Sequence, residues 1–160
     1  MMERRVQATR AIASLVACAA LVGCATEARR DEARSVALIA APVNAGETGR
    51  ATLIPLGDRT QVTITVSGVP PDLVSLPVHL YTFIYRGSCG NLAAQPTYAL
   101  TERTLGQSAT SGAIAASRVP VTLTNVAPTS IGALFGEPYA IRIMTSPADG
   151  NREIFCGDIQ

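Results

Sequence analysis

The sequence predicts an all-β domain: a Greek-key sandwich or small barrel, immunoglobulin-like in plan, with about seven to eight antiparallel strands. Three observations predict it. Residues 61–66 alternate, with Val62, Ile64 and Val66 on one face and Thr63 and Thr65 on the other. That is the period of a strand with one buried face. Short extended runs are separated by turn residues, among them Pro42, Gly57-Asp58 and the stretch 68–71. No run keeps a helical period over three turns.

The elements follow in order. Residues 36–40 are apolar and stop before Pro42. Residues 50–56 reach the turn Gly57-Asp58, and 61–66 return as the second arm of a hairpin. Residues 79–85 place His79, Tyr81, Phe83 and Tyr85 on one face and Leu80, Thr82 and Ile84 on the other. Aromatic and β-branched side chains favour a strand there. The aromatic face is expected to be core, with a ligand-stacking platform as the alternative. Residues 119–124, 139–144 and 154–159 complete the set. Pro120 must stand near a strand start or on an edge, because it cannot donate to a ladder. Residues 130–134 suit a short helical turn.

A chain of 160 residues holds one such domain and not comfortably two. All 13 basic residues are Arg, against 12 acidic residues, so no single-sign field draws in nucleic acid. Without Lys there is no P-loop lysine and no Schiff base. His79 is the one histidine, so a site of several histidines is impossible and most catalytic zinc and copper chemistry goes with it. No Gly-x-Ser-x-Gly elbow supports a serine triad through His79. No cofactor is expected.

The N-terminus reads as a targeting segment. Arg4, Arg5 and Arg10 precede an uncharged apolar run over residues 11–22. The run is 12 residues, shorter than the roughly 20 a spanning helix needs. It ends in Leu21-Val22-Gly23-Cys24, which resembles a bacterial lipobox. Residues 1–23 are then a signal peptide, Cys24 the palmitate-bearing mature N-terminus, and 24–34 a short tether before a domain over 35–160. Ordinary cleavage after Ala19 or Ala25, with Cys24 incidental, is the alternative. Ala25, where an inner-membrane retention signal has Asp, points to an outer-membrane lipoprotein facing the periplasm or the cell surface. Removing the signal leaves 10 Arg and 11 acidic residues, a formal charge of −1. It also leaves Cys89 and Cys156 in an oxidising compartment, where a disulfide between them is the default.

Three segments resemble copper/zinc superoxide dismutases and chordin-repeat (CHRD) domains. The hairpin from Gly49-Arg50-Ala51-Thr52-Leu53 to Val62-Thr63-Ile64-Thr65-Val66-Ser67-Gly68-Val69-Pro70 is one. The second is His79 to Cys89, ending Gly87-Ser88-Cys89; the third is Phe155-Cys156-Gly157-Asp158-Ile159. The resemblance spans most of residues 35–160 and implies a superoxide dismutase-like sandwich with a Cys89–Cys156 disulfide. It puts His79 on a structural histidine. It puts the metal-ligating histidines on Thr82 and Ile84, neither of which coordinates as imidazole does. The stretch 90–111 holds only Glu102 where further ligands would stand, and Arg152 lies one residue too far from Cys156 to match the family's arginine.

The resemblance with its ligands replaced implies a non-catalytic, envelope-anchored lipoprotein, a binding or structural module with an unknown protein or envelope partner. A divergent dismutase or a copper-handling protein is the alternative. Arg86, Arg103 and Arg152, near the two cysteines and in the connection between them, are candidates for an anion or acidic-partner site.

Overall fold

The computed structural model describes residues 32–105 and 120–160. Cys24, the expected signal peptide and most of the expected tether lie outside the described residues, as does part of the long connection after Cys89.

Ten strands are present among the described residues: β1 (Arg34–Ala40), β2 (Gly49–Leu56), β3 (Arg59–Val66), β4 (His79–Ser88), β5 (Asn91–Leu92), β6 (Tyr98–Ala99), β7 (Arg103–Thr104), β8 (Val121–Ala127), β9 (Tyr139–Met144) and β10 (Glu153–Ile159). Seven of them match the expected strands within three residues at each end. The additional three, β5, β6 and β7, are two-residue bridges along one edge of β4, too short to carry a period. Pro120 immediately precedes β8, the position a residue without a backbone N–H can hold. The helical turn α1 (Ile131–Leu134) starts where the Ser130 hydroxyl accepts from the Ala133 amide at 3.2 Å.

All pairings are antiparallel, in the order β5-β4-β9-β10-β1-β2-β3-β8. The strands form one sheet curled into a half-barrel, with β1 at the fold. Residues 34–38 of β1 pair with β2, while Ile39 and Ala40 pair with β10. One strand thus belongs to both layers. At the far side Arg103 of β7 donates from Nε to the Thr124 carbonyl of β8 at 2.6 Å, linking the two ends of the sheet.

The core lies inside this curl. Leu53 of β2 and Val62, Ile64 and Val66 of β3 face Leu80 and Ile84 of β4, Ile141 and Ile143 of β9, and Phe155 and Ile159 of β10. The alternation in 61–66 therefore does in the structure what it predicts in the sequence: Val62, Ile64 and Val66 are fully buried. Aliphatic burial of this kind stabilises by about 25 cal/mol per Å² of apolar surface removed from water.

Candidate functional site

The face of β4 that the sequence reading assigns to the core is the outer one. Thr82 pairs with Ile143, and Ile84 with Ile141. Ile143 in turn pairs with Phe155, and Ile141 with Gly157. Directly opposed residues share a face, so these rows point inward; Leu80, Thr82 and Ile84 are fully buried. The other rows, Tyr81/Met144/Glu153, Phe83/Arg142/Cys156 and Tyr85/Ala140/Asp158, point outward. The register with β9 decides the matter. The opposite parity would bury three rings and His79 together with the Arg142 and Glu153 charges, at a desolvation cost the aliphatic rows avoid.

On the outer face Tyr81, Phe83 and Tyr85 form a strip, each ring partly exposed. The Tyr81 and Phe83 rings are nearly parallel, 13° apart in plane with centroids at 6.5 Å. The Tyr85 ring meets Phe83 edge-on at 6.3 Å and lies beneath the Arg142 guanidinium, 5.7 Å from its centroid. Arg142 also pairs with Glu153 across the β9–β10 ladder.

The opposite flank of the strip is set by β7, whose Thr104 pairs with His79. His79 Nδ1 bonds the Glu102 carboxylate, and the Thr104 hydroxyl lies 3.4 Å from the same nitrogen. Hydrogen bonds from His79, and next from the Tyr81 hydroxyl, hold the Glu102 carboxyl below its ordinary range. The bond to Glu102 in turn raises the Tyr81 hydroxyl above its own. Ala99 of β6, opposite Phe83, is exposed. The result is a narrow row of rings with the hydrogen-bonded His79–Glu102 pair on one side and the Arg142–Glu153 ion pair on the other.

Beneath the strip, the positions aligned with metal ligands are interior. Ile84 offers no donor, and the Thr82 hydroxyl is taken by Asn125 of β8, whose Nδ2 lies 3.5 Å away across the core. Asn125 is itself fully buried, and its Oδ1 has no hydrogen-bond partner among the described residues. Among the described residues no group of three His, Cys, Asp or Glu side chains is placed to hold a metal. This donor set does not fit copper or zinc.

Cys89 and Cys156 are bonded, with Cα atoms 5.9 Å apart. Cys89 and Gly90 form the two-residue tip of the β4–β5 hairpin, since Ser88 pairs with Asn91. Gly87 enables the tip: its φ is +104°, and a Cβ there would stand 2.2 Å from the Asn91 carbonyl oxygen. The Cys89 amide also donates to Asp158 Oδ1 at 2.6 Å. Hairpin tip and β10 are thus held at two outward positions, 156 and 158. Cys156 is not at a sheet edge, because β10 runs between β9 and β1.

Of the three arginines proposed as one site, Arg86 and Arg103 lie at opposite ends of β4. Arg86 ends β4, where it pairs with Glu137 and covers the Tyr139 ring at 5.8 Å. Arg103 stands opposite Leu80, six residues or roughly 20 Å further down the strand, with its Nε on a backbone carbonyl. Arg152 is exposed at the start of the final hairpin arm, its amide bonded to the Thr145 hydroxyl. Arg86 and Arg103 therefore share no anion site. His79 is a surface residue with its side chain 37% exposed, fixed by Glu102.

The sequence reading misses Arg142, Glu153 and Asn125, and it notes Glu102 only as a possible ligand. A signal exists for the first: Arg142 is the one charge inside the apolar run 139–144, so its face must reach solvent. No known family's sequence pattern, no curated protein and no solved structure matches this chain.

Proposed function

We propose that this chain is an envelope-anchored lipoprotein whose β-domain is a non-catalytic binding module. The observation that carries the binding reading is the outward strip Tyr81, Phe83 and Tyr85 with the His79–Glu102 and Arg142–Glu153 pairs on its flanks. Partly exposed aromatics in a contiguous row suit a recognition surface, with large apolar faces beside polar groups. The lipobox at Leu21-Val22-Gly23-Cys24 supports the anchoring, with the outer membrane as the site. The Cys89–Cys156 bond agrees with an oxidising compartment and with the superoxide dismutase-like resemblance. The donor set around Thr82 and Ile84 supports a module without copper or zinc.

Three measurements test this reading. A photo-crosslinking residue at Ala99, beside Phe83, is activated in intact cells, with the same residue at exposed Thr65 on β3 as control. A product of any mass specific to position 99 is expected; equal yields at both positions would remove the binding face. Labelled palmitate must enter the wild type and not the Cys24→Ala precursor. Elemental analysis after dialysis against copper and zinc must find neither metal held stoichiometrically; one tightly held ion per chain would restore the metalloprotein reading.

A further inference from the structure

We propose that the outer face of β4 binds a neutral saccharide chain, an inference that rests on the binding-module reading above and names its ligand. The argument starts from the charges. Glu102 is bonded by His79 and Glu153 is paired with Arg142, so the rim presents hydrogen-bonded carboxylates and no unpaired guanidinium beside the rings. An anionic lipid surface or a nucleic acid needs an uncompensated basic patch, which this strip lacks. A peptide added as a strand needs a free edge. β4 has none over the strip, with β9 on one side and β6 and β7 on the other.

What remains complementary is a ligand that is apolar on its ring faces and polar around its perimeter. A pyranose has that distribution: C–H bonds on its faces and hydroxyls at its edge. The partly positive C–H hydrogens suit the negative faces of aromatic rings. Tyr81 and Phe83 supply two nearly parallel rings 6.5 Å apart. The perimeter hydroxyls then meet acceptors in Glu102 and Glu153 and donors in the Arg142 guanidinium, all fixed in place before binding by these pairings. The row is one strand wide and three side chains long, which suits a linear ligand better than a broad protein surface.

The test uses the mature protein with chitohexaose and cellohexaose as probes, followed by calorimetry and by backbone amide NMR. Binding of at least one is expected, with shifts clustered on β4, β6 and β9. Phe83→Ala should weaken it about tenfold or more, while Thr65→Ala on the other layer leaves it unchanged. Ala99→Glu, which adds bulk beside Phe83 without removing a ring, should weaken binding too, and it serves if the Phe83 variant does not fold. Failure of both saccharides to bind, or binding indifferent to Phe83→Ala and Ala99→Glu, overturns the proposal. Decaproline and phosphatidylglycerol vesicles form the other arms. Ring-dependent binding to either, without saccharide binding, overturns the saccharide assignment and leaves the module reading standing. Loss of the position-99 crosslink in cells is the separate result that removes the module.

Discussion

A Cβ placed on Gly157 would lie 2.4 Å from the carbonyl oxygen of Ala37. This is the point where β1 passes from one layer of the half-barrel to the other, and the backbone of β10 admits it only because position 157 has no side chain. The pentapeptide 155–159 then reads as a set of structural demands. Phe155 fills the core, Cys156 faces out to its disulfide, Gly157 admits β1, and Asp158 caps the Cys89 amide. Gly157→Ala is expected to cost at least the 1–3 kcal/mol typical of overpacking, since the obstacle is backbone and cannot rotate away; roughly that much lost in a denaturant melt is the outcome. An unchanged midpoint would mean that β1 does not cross there.

The disulfide closes a sequence separation of 67 residues. In the chain-entropy model that constraint contributes about 4 kcal/mol, and Cys89→Ser/Cys156→Ser should lose about 2–5 kcal/mol while still folding. The hydrogen-exchange pattern is more specific. β10 is flanked by β9 and β1 and should stay protected, while amides of the β4–β5 tip, held at Cys89 by the disulfide and Asp158, should exchange faster. Fraying of β10 instead would contradict its interior position.

Glu102 gives the fold an acid-side dependence. Its carboxyl is held below the ordinary range by hydrogen bonds from His79 and Tyr81. A depressed folded-state value contributes stability that is present above the unfolded value, near 4.3, and lost as pH falls through the folded one. Denaturant melts from pH 7 to pH 3 should therefore show Glu102→Gln losing less stability on acidification than the wild type. Parallel curves for the two proteins would contradict the network.

Thr82 and Asn125 share a polar contact across the two layers of the core. Thr82→Val removes the acceptor and leaves the buried amide with no side-chain partner, at a cost of about 1–3 kcal/mol. Thr82→Val/Asn125→Leu removes both polar groups and should recover most of that loss. The 3.5 Å contact is at the limit of hydrogen-bond length, so the single loss should lie at the low end of that range and a double-mutant cycle should show favourable coupling of about 1 kcal/mol. A double variant that loses as much as the sum of the singles, or more, would contradict a favourable Thr82–Asn125 contact.

The seven long strands were legible in the sequence because alternation, turn residues and prolines all agree along 34–66, 79–88 and 121–159. The short bridges β5, β6 and β7 were not, because two residues carry no period and their pairing is imposed by β4. The orientation of β4 was also beyond reach from β4 alone. Both its faces are apolar enough to bury, and only the register with β9, where Arg142 stands between Ile141 and Ile143, breaks the tie. Asn125 stayed hidden for a similar reason. It occupies an inward position of β8 between Leu123 and Ala127, where an apolar residue is the expectation. The cysteine pair was legible because the expected signal takes Cys18 and the expected lipidation takes Cys24, which leaves Cys89 and Cys156 for each other.

The binding face and its proposed ligand both depend on β4 turning its rings outward. Hydroxyl-radical footprinting of the mature protein, read by mass spectrometry at single residues, tests this most directly. Oxidation of Tyr81, Phe83 and Tyr85 with protection of Leu80 and Ile84 is the predicted result. Protection of the three rings with oxidation at Leu80 and Ile84 would contradict it, return the aromatic face to the core, and expose the positions that the dismutase-like resemblance aligns with metal ligands.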